Sequence, residues 1–278
     1  MLRTPIPLLL AVGLAAATGC SDRAATAGAR SADERVAELT QALTPLPGHL
    51  TSDILDAHFH RGNELVAELS RAEPEVGRAS LRALAGQQHK VVAVERGLLT
   101  VAAHSAPADT VPLLENLVQN YGPSLDLRTE AALLLAEVAP ERALPILEPL
   151  VLRQVRNQTT PPAEFLVVAW VTACDKTGRS PVPELCDVAT NLFQEGSARV
   201  RAVKELGKRP DPRGERALRA ILVESTGDGY LRRMAAQAIR DSLPTETACE
   251  IFRQVGDKEA DLNMLRFLAE MVDRLCGS

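Results

Sequence analysis

Three stretches that begin with arginine share one pattern: RTEAALLL at 128–135, RVRAVKEL at 199–206 and RRMAAQAI at 232–239. In each, small or branched apolar residues follow the arginine at i+3 and i+4, and an aliphatic residue follows at i+7. Residues at this spacing line one face of an α-helix. A fourth stretch, EFLVVAWV at 164–171, keeps the apolar positions but has Glu164 in place of the arginine. The four stretches start 36, 35 and 33 residues apart, a spacing typical of stacked helical repeats.

A second amphipathic segment follows each of these stretches about half a period later. Prolines lie between the segments, and because a proline tends to end the helix before it, the sequence predicts helix pairs joined by short connections. The aromatic content of 3% is low, as expected where Leu, Ala and Val fill the seams between helices, so we predict an all-α chain. The second segments are ALPILEPLVL at 143–152, VPELCDVATNLF at 182–193, ALRAILVE at 217–224 and TACEIFRQV at 247–255.

The arginine and alanine signature, the prolines and the period of about 35 residues resemble HEAT or HEAT-like repeats over roughly residues 90–255. The resemblance implies an α-solenoid over 32–278, with a weaker first copy at Lys90 and a terminal cap over 259–275. Such repeats bind proteins more often than they catalyse, so the resemblance implies a non-catalytic interaction scaffold with an unidentified protein partner and no cofactor. The stripe expected to be buried in the cap is Leu262, Leu265, Ala269 and Val272.

The chain starts with an apolar run, Ile6–Thr18, that ends just before Cys20. The run has about the length of a signal-peptide h-region and is shorter than the roughly 20 residues that span a bilayer. It resembles the lipobox of bacterial lipoproteins, whose cysteine receives a thioether-linked diacylglycerol. The resemblance implies a signal peptide over 1–19, a lipidated Cys20 and tether over 20–31, and contact with a bilayer through the acyl chains. A location in the bacterial cell envelope follows, and Ser21 in place of aspartate favours the outer membrane over retention in the inner membrane. Ordinary secretion and an uncleaved start stay open as alternatives.

Charge is unevenly distributed along a chain whose net charge is −5. This ordinary acidic balance argues against a dedicated nucleic-acid binder. Residues 196–240 nevertheless hold eleven basic and five acidic residues, and Arg213, Arg216 and Arg219 share one helical face there. This stripe offers a binding surface for an anionic envelope polymer or lipid head group. The alternative is a solvated face with ion pairs inside each helix, for which Arg201–Glu205 and Glu215–Arg219 have the right spacing.

Four cysteines remain if Cys20 is lipidated, and an even number in an exported protein permits two disulfides. Helical spacing favours a bridge between Cys174, at the end of one helix, and Cys186, in the antiparallel helix that follows. The pair Cys249 and Cys276 follows mainly by elimination, and the two residues are expected at different heights. Four buried, free thiols are the alternative.

No motif in the chain indicates a known chemistry. The sequence lacks HExxH, GxSxG and P-loop motifs, which excludes the common hydrolase and nucleotide-binding signatures. His58 and His60 are two residues apart and point to different sides of a helix, so they make a poor pair of metal ligands. We expect no metal site and no catalytic residue, and an enzyme with an unrecognised site is a further alternative. The histidines are His49, His58, His60, His89 and His104.

Overall fold

The computed structural model describes residues 30–46, 52–86, 91–120, 124–152, 163–225 and 227–277. The chain divides after Ser31 into two compact units, and all described helices lie in the second, Ala32–Ser278. The described residues form 14 α-helices and no strand. The helices are α1 (Ala32–Leu43), α2 (Ser52–Leu69), α3 (Pro74–Gly86), α4 (Val92–Ser105), α5 (Pro107–Gln119), α6 (Leu125–Val138), α7 (Pro140–Leu152), α8 (Ala163–Thr177), α9 (Val182–Thr190), α10 (Gly196–Gly207), α11 (Pro212–Glu224), α12 (Gly229–Ser242), α13 (Thr245–Gly256) and α14 (Leu262–Cys276).

The helices form two layers that alternate along the chain. From α2 to α14, each even-numbered helix packs against the next even-numbered helix, and the odd-numbered helices form the second layer. Each odd-numbered helix also packs along the even-numbered helix that follows it, so a hairpin of one odd and one even helix is the repeating unit. This file of hairpins is an all-α, HEAT-like solenoid, which confirms the predicted fold class.

Small residues bring the even-numbered helices close together. Ala131, Ala202 and Ala235 are fully buried at the same position of α6, α10 and α12. Gly207, at the end of α10, approaches α12 so closely that a Cβ there would lie 2.8 Å from the Cβ of Ala238. The alanine of the repeated signature therefore sets the spacing between neighbouring hairpins, because a larger side chain would push them apart.

Helices of one layer run in the same direction. Arg96 and Glu130, near the starts of α4 and α6, form an ion pair, and His104 lies 3.8 Å from Glu137 near the ends of the same helices. The solenoid therefore has two rims of connections. At the odd-to-even rim, each odd-numbered helix ends and the next even-numbered helix begins. At the even-to-odd rim, each even-numbered helix ends and the next odd-numbered helix begins.

Burial corrects the repeat register in α8. Arg128, Arg199 and Arg232 are each the fourth residue of their helix, and each is at most 7% exposed. By the spacing of the buried residues that follow, the matching position in α8 belongs to Val167, whereas Glu164 is exposed. The alignment of Glu164 with the arginines is therefore wrong. The reason is that α8 is apolar on almost every side, so its pattern fits more than one register.

Burial also changes the assignment of the first copy. Lys90 lies outside the described residues, and Glu95 of α4 holds the position of the arginines, 4% exposed and followed by the same spacing of buried residues. The five equivalent positions are therefore 33, 39, 32 and 33 residues apart. The repeats share a pattern of packing and tolerate a change in length between α6 and α8.

The last helix closes the stack with a face other than the predicted one. Met264, Leu268 and Met271 of α14 are buried in the core, whereas Leu262 is 76% exposed and Leu265 is partly exposed. Two apolar stripes run along α14. The stripe that packs inward is Met264, Leu268 and Met271, because this one faces the core that α12 and α13 form, and the predicted stripe is therefore wrong.

Candidate functional site

The signature arginines bond the helix that precedes them. Arg128, Arg199 and Arg232 are buried, and each donates through Nε to a backbone carbonyl in the last turn of the preceding odd-numbered helix. These carbonyls have no partner within their own helix, and they lie at the negative end of its dipole. The arginines therefore fix each hairpin and do not form a binding site. The acceptors are Leu117 (3.3 Å), Ala189 (3.1 Å) and Leu222 (2.7 Å).

Gln194 supplies the same kind of bond where the arginine is missing. Val167 of α8 cannot donate a hydrogen bond from its side chain, and the end of α7 is bonded instead by Gln194, whose Nε2 lies 3.2 Å from the carbonyl oxygen of Val151. Gln194 is buried, although it belongs to the connection between α9 and α10. The connection is therefore held in place by a bond to the neighbouring hairpin.

Ion pairs that join neighbouring hairpins have their arginines at the even-to-odd rim. Arg209, after α10, contacts Asp175 of α8 at 2.5 Å. Arg179, before α9, makes a bidentate pair with Glu148 of α7, with both N–O distances 2.8 Å. Arg142 of α7 pairs in the same way with Glu115 of α5, at 2.7 and 2.6 Å. We call these residues the charged rim: Arg142, Glu115, Arg179, Glu148, Arg209, Asp175 and, bonded to Arg209, Glu205.

Glu205 is the centre of the charged rim. Its side chain is 5% exposed and lies within 3.0 Å of basic groups of Arg201, Lys208 and Arg209. Burial alone would raise the pKa of Glu205, but hydrogen bonds from Lys208 and Arg209 outweigh burial and hold the pKa below its ordinary value. The pair Arg201–Glu205, expected from helical spacing, is thus part of a larger network.

Most of the basic side chains in residues 196–240 are bonded to partners within the fold. Arg219 is paired with Glu215 at 2.7 Å, as helical spacing predicts, and is not free to act with its neighbours. Arg213 and Arg216 are exposed and form no ion pair with any described residue. The proposed stripe therefore reduces to two exposed guanidinium groups on α11. The other basic residues with partners are Arg199, Arg201, Lys208, Arg209, Arg232, Arg233 and Arg240.

The cysteines do not pair in the order that helical spacing favours. Cys249 and Cys276 form a disulfide with a Cα–Cα distance of 6.2 Å, and Cys174 and Cys186 are free thiols. The expected bridge between Cys174 and Cys186 is absent because the two side chains face different neighbours. Cys174 is completely buried in the helix core, whereas Cys186 is only partly buried and lies among charges of α9 and α11. Burial raises the pKa of both thiols to about 11, so neither is a ready nucleophile.

The histidines have separate partners. His58 Nε2 lies 2.9 Å from the carbonyl oxygen of Thr44, and His60 Nε2 lies 3.2 Å from Glu64. Within the part of the chain that the structure describes, no three His, Cys, Asp or Glu side chains form a group that suits a metal ion. His49 and His89 lie outside the described residues.

An open groove of about 550 Å³ lies between α1 and α3. Half of its lining residues are small and apolar, and the lining includes an exposed ion pair between Arg82 and Asp33, 2.8 Å apart. The groove holds no buried charged group that could orient a ligand, so it does not define a chemistry.

The predicted lipidation site, Cys20, lies outside the described residues. No helix in the described ranges combines the length and the apolar character needed to cross a bilayer. Lipidation of Cys20 and a place in the cell envelope stay predictions; intact-mass measurement of the mature chain tests the first, and fractionation of cells tests the second.

Exposed apolar side chains are concentrated at the odd-to-even rim. From α5 onward, every exposed large apolar residue of the described chain lies in the last turn of an odd-numbered helix, in the connection after it, or in the first turn of the next helix. We call these residues the apolar rim: Leu125, Leu152, Leu192, Phe193, Val223, Tyr230, Leu262 and Leu265.

Leu192 and Phe193 form the centre of the apolar rim. They are 73% and 74% exposed, and they follow α9, which ends at Thr190 and not at Phe193 as the apolar pattern suggested. The backbone N–H of Phe193 donates to Oδ1 of Asn191 at 2.9 Å, and the next residue, Gln194, is buried. A fixed connection therefore holds both apolar side chains in solvent. Asn191 is the signal in the sequence, because asparagine favours turns of this kind.

No family model matches the chain, and no curated protein matches it significantly. Two solved structures are similar. The complex of CpcE and CpcF of phycocyanin lyase from Nostoc sp. PCC7120 is 16% identical, with a TM-score of 0.42, and the match covers 93% of this chain and 100% of that chain. Human deoxyhypusine hydroxylase in complex with glycerol is 15% identical, with a TM-score of 0.37, and the match covers 87% of this chain and 97% of that chain. At these identities the similarity concerns the fold.

The matches correct one expectation from the sequence. The repeat pattern suggested a non-catalytic scaffold, with an enzyme only as an alternative, but the two matched structures are those of a lyase and a hydroxylase. The step from helical repeats to the absence of catalysis is therefore wrong. The scaffold function that depended on this step is not retained.

Proposed function

We propose that this protein binds a polypeptide along the apolar rim. The observation that carries the proposal is the concentration of exposed apolar side chains at one rim, with Leu192 and Phe193 held outward by a fixed connection. Neighbouring large apolar side chains in solvent, as Leu192 and Phe193 are, mark interaction sites in folded proteins. The proposal concerns recognition, a step that enzymes and non-enzymes share.

The extent of the rim favours a polypeptide over a small molecule. The apolar rim runs from Leu125 in the α5–α6 hairpin to Leu262 in the α13–α14 hairpin, across five successive hairpins. Packed helices are about 10 Å apart, so this distance is on the order of 40 Å. An extended chain spans about 3.3 Å per residue, and a segment of about twelve residues matches this length. A drug-sized ligand covers only one or two hairpins.

A peptide selection tests the proposal. A displayed library of random dodecapeptides is selected against the full chain, and enriched peptides are measured by fluorescence anisotropy. The double variant Leu192→Ser/Phe193→Ser should bind these peptides at least about ten-fold more weakly, because the anchors of an interface carry most of its binding energy.

The matched control removes two apolar residues of similar exposure outside the rim. Ile54 and Phe59 of α2 are 48% and 49% exposed, and Ile54→Ser/Phe59→Ser should bind as the unmodified protein does. The proposal is overturned if no peptide is enriched over a blank surface, or if both double variants lose affinity equally.

A further inference from the structure

We infer that the polypeptide bound at the apolar rim is cationic; this inference rests on the proposed function. Acidic residues outnumber exposed basic residues at this rim: in the described last turns, connections and first turns from α5 onward, the exposed basic side chains are Arg253 and Lys258. The acidic residues there are Asp126, Glu164, Asp187, Glu195, Glu224, Asp228, Asp257, Glu259 and Asp261.

Most of these carboxylates have no ion-pair partner. Glu259 is paired with the buried Arg232, and the side chains of Asp228 and Asp261 accept backbone N–H groups at the starts of α12 and α14. The other acidic side chains are exposed and form no ion pair with a described residue; they are Asp126, Glu164, Asp187, Glu195, Glu224 and Asp257. Unpaired charge of one sign beside apolar groups attracts a partner of the opposite sign.

Helix stability explains only some of these positions. A carboxylate near the start of a helix is favourable, which accounts for Asp126, Glu164 and Glu195, the N-cap residue of α10. Glu224 is the last residue of α11, and Asp257 follows the last residue of α13. A negative charge at the end of a helix is unfavourable, because the helix dipole is negative there. Folding therefore does not explain these two acids, whereas binding a cationic partner does.

The charge also decides against other macromolecules. Nucleic acids and bilayers with anionic lipids would bring further negative charge to a rim that already carries unpaired carboxylates. A chain segment with alternating apolar and Lys or Arg residues satisfies both features of the rim. Its apolar side chains contact Leu192, Phe193 and their neighbours, and its cations face Glu195 and Glu224.

Two synthetic peptides test this inference. Both have twelve residues with the same Leu and Phe positions, and the intervening positions are Lys in one and Glu in the other. The lysine peptide should bind at least about ten-fold more tightly at low salt, and a high-salt buffer should reduce this ratio because salt screens exposed charges. Glu195→Gln/Glu224→Gln should lower the ratio about three-fold or more.

The control variant is Glu141→Gln/Glu246→Gln, which removes two exposed glutamates at the even-to-odd ends of α7 and α13 and should leave the ratio unchanged. If both peptides bind equally and this binding still depends on Leu192 and Phe193, the inference of a cationic partner is overturned and the proposed function is retained. If neither peptide shows binding that depends on Leu192 and Phe193, this result counts against the proposed function itself. Equally, binding of phosphatidylglycerol vesicles that is lost in Leu192→Ser/Phe193→Ser overturns the inference in favour of a membrane surface.

Discussion

The two rims of the solenoid have the same architecture, but one carries ion-paired charged residues and the other carries exposed apolar residues. Both consist of short connections between antiparallel helices. At the charged rim, bidentate and networked ion pairs join one hairpin to the next, so that the charges are used by the fold. At the apolar rim, the arginines turn inward to backbone carbonyls while large apolar side chains stay in solvent. The ion pairs of the charged rim are explained by their role in folding, whereas the exposed side chains of the apolar rim are not.

The comparison separates stability from binding. Substitutions that break partners inside the fold should lower the free energy of unfolding, whichever rim they belong to. Substitutions of the exposed apolar residues should change binding and leave the fold intact. The variants below test this division from the largest expected loss of stability to the smallest.

The largest loss is expected for Arg232→Met. This change leaves the carbonyl of Leu222 without a donor and the carboxylate of Glu259 without its cation, although the Glu259 side chain is only 7% exposed. Removing one partner of a buried ion pair typically costs about 3 to 5 kcal/mol. Urea denaturation measures the difference.

The adjacent arginine is the control for this prediction. Arg233 is exposed, and its guanidinium lies 5.5 Å from the centre of the Phe267 ring. Arg233→Met should cost no more than about 1 kcal/mol, because an exposed cation–π contact is weak. Equal losses in the two variants would show that charge, and not the inward bonds of Arg232, stabilises this hairpin.

Reduction of the disulfide should cost somewhat less and act locally. Cys249 and Cys276 are 27 residues apart, and closing a loop of this size contributes about 3 to 4 kcal/mol in the chain-entropy model. Hydrogen exchange of α14 should accelerate on addition of a phosphine reductant while α6 to α10 are unaffected. In the Cys249→Ser/Cys276→Ser variant, the amide hydrogens of α14 should exchange at the accelerated rate with or without reductant. Uniform acceleration over all helices would contradict a local role.

Glu205→Gln should lower the free energy of unfolding by about 2 kcal/mol at pH 7, because three basic partners of Glu205 lose their counterion. The pKa of Glu205 is lowered in the folded protein, so its contribution is fully present above the ordinary value of 4.5 and is lost as pH falls through the folded pKa. The difference in the free energy of unfolding between the unmodified protein and Glu205→Gln should therefore be largest at neutral pH and disappear in acid. Glu195→Gln, at the other rim, should change stability by less than about 0.5 kcal/mol at either pH.

The fold was accessible from the sequence because its signature has a structural cause. Arginine bonds the preceding helix and alanine sets the distance to the next hairpin, so both recur at nearly fixed spacing. The register of α8 was not accessible, because Val167 and its neighbours are apolar on most sides of the helix.

The surface was harder to predict than the fold. Leu192 and Phe193 continue the apolar period of α9, and only the turn at Asn191 removes them from the helix. The basic excess suggested a site at Arg213, Arg216 and Arg219, but the partners of buried arginines are backbone carbonyls, which a count of charges does not include. Cysteine pairing likewise depends on which neighbour each helix faces.

The smallest change in stability is expected for Leu192→Ser/Phe193→Ser. Both side chains are already more than 70% exposed, so removing them takes little apolar surface out of the core, and the free energy of unfolding should change by less than about 0.5 kcal/mol. Leu206→Ser is the buried comparison: Leu206 is 1% exposed, and its loss should cost several kcal/mol, on the order of 3. Thermal denaturation of the three proteins measures both differences. A loss above about 1 kcal/mol in the rim variant would mean that Leu192 and Phe193 stabilise the hairpin, and the exposed surface would then have a role in folding that leaves no need for a partner.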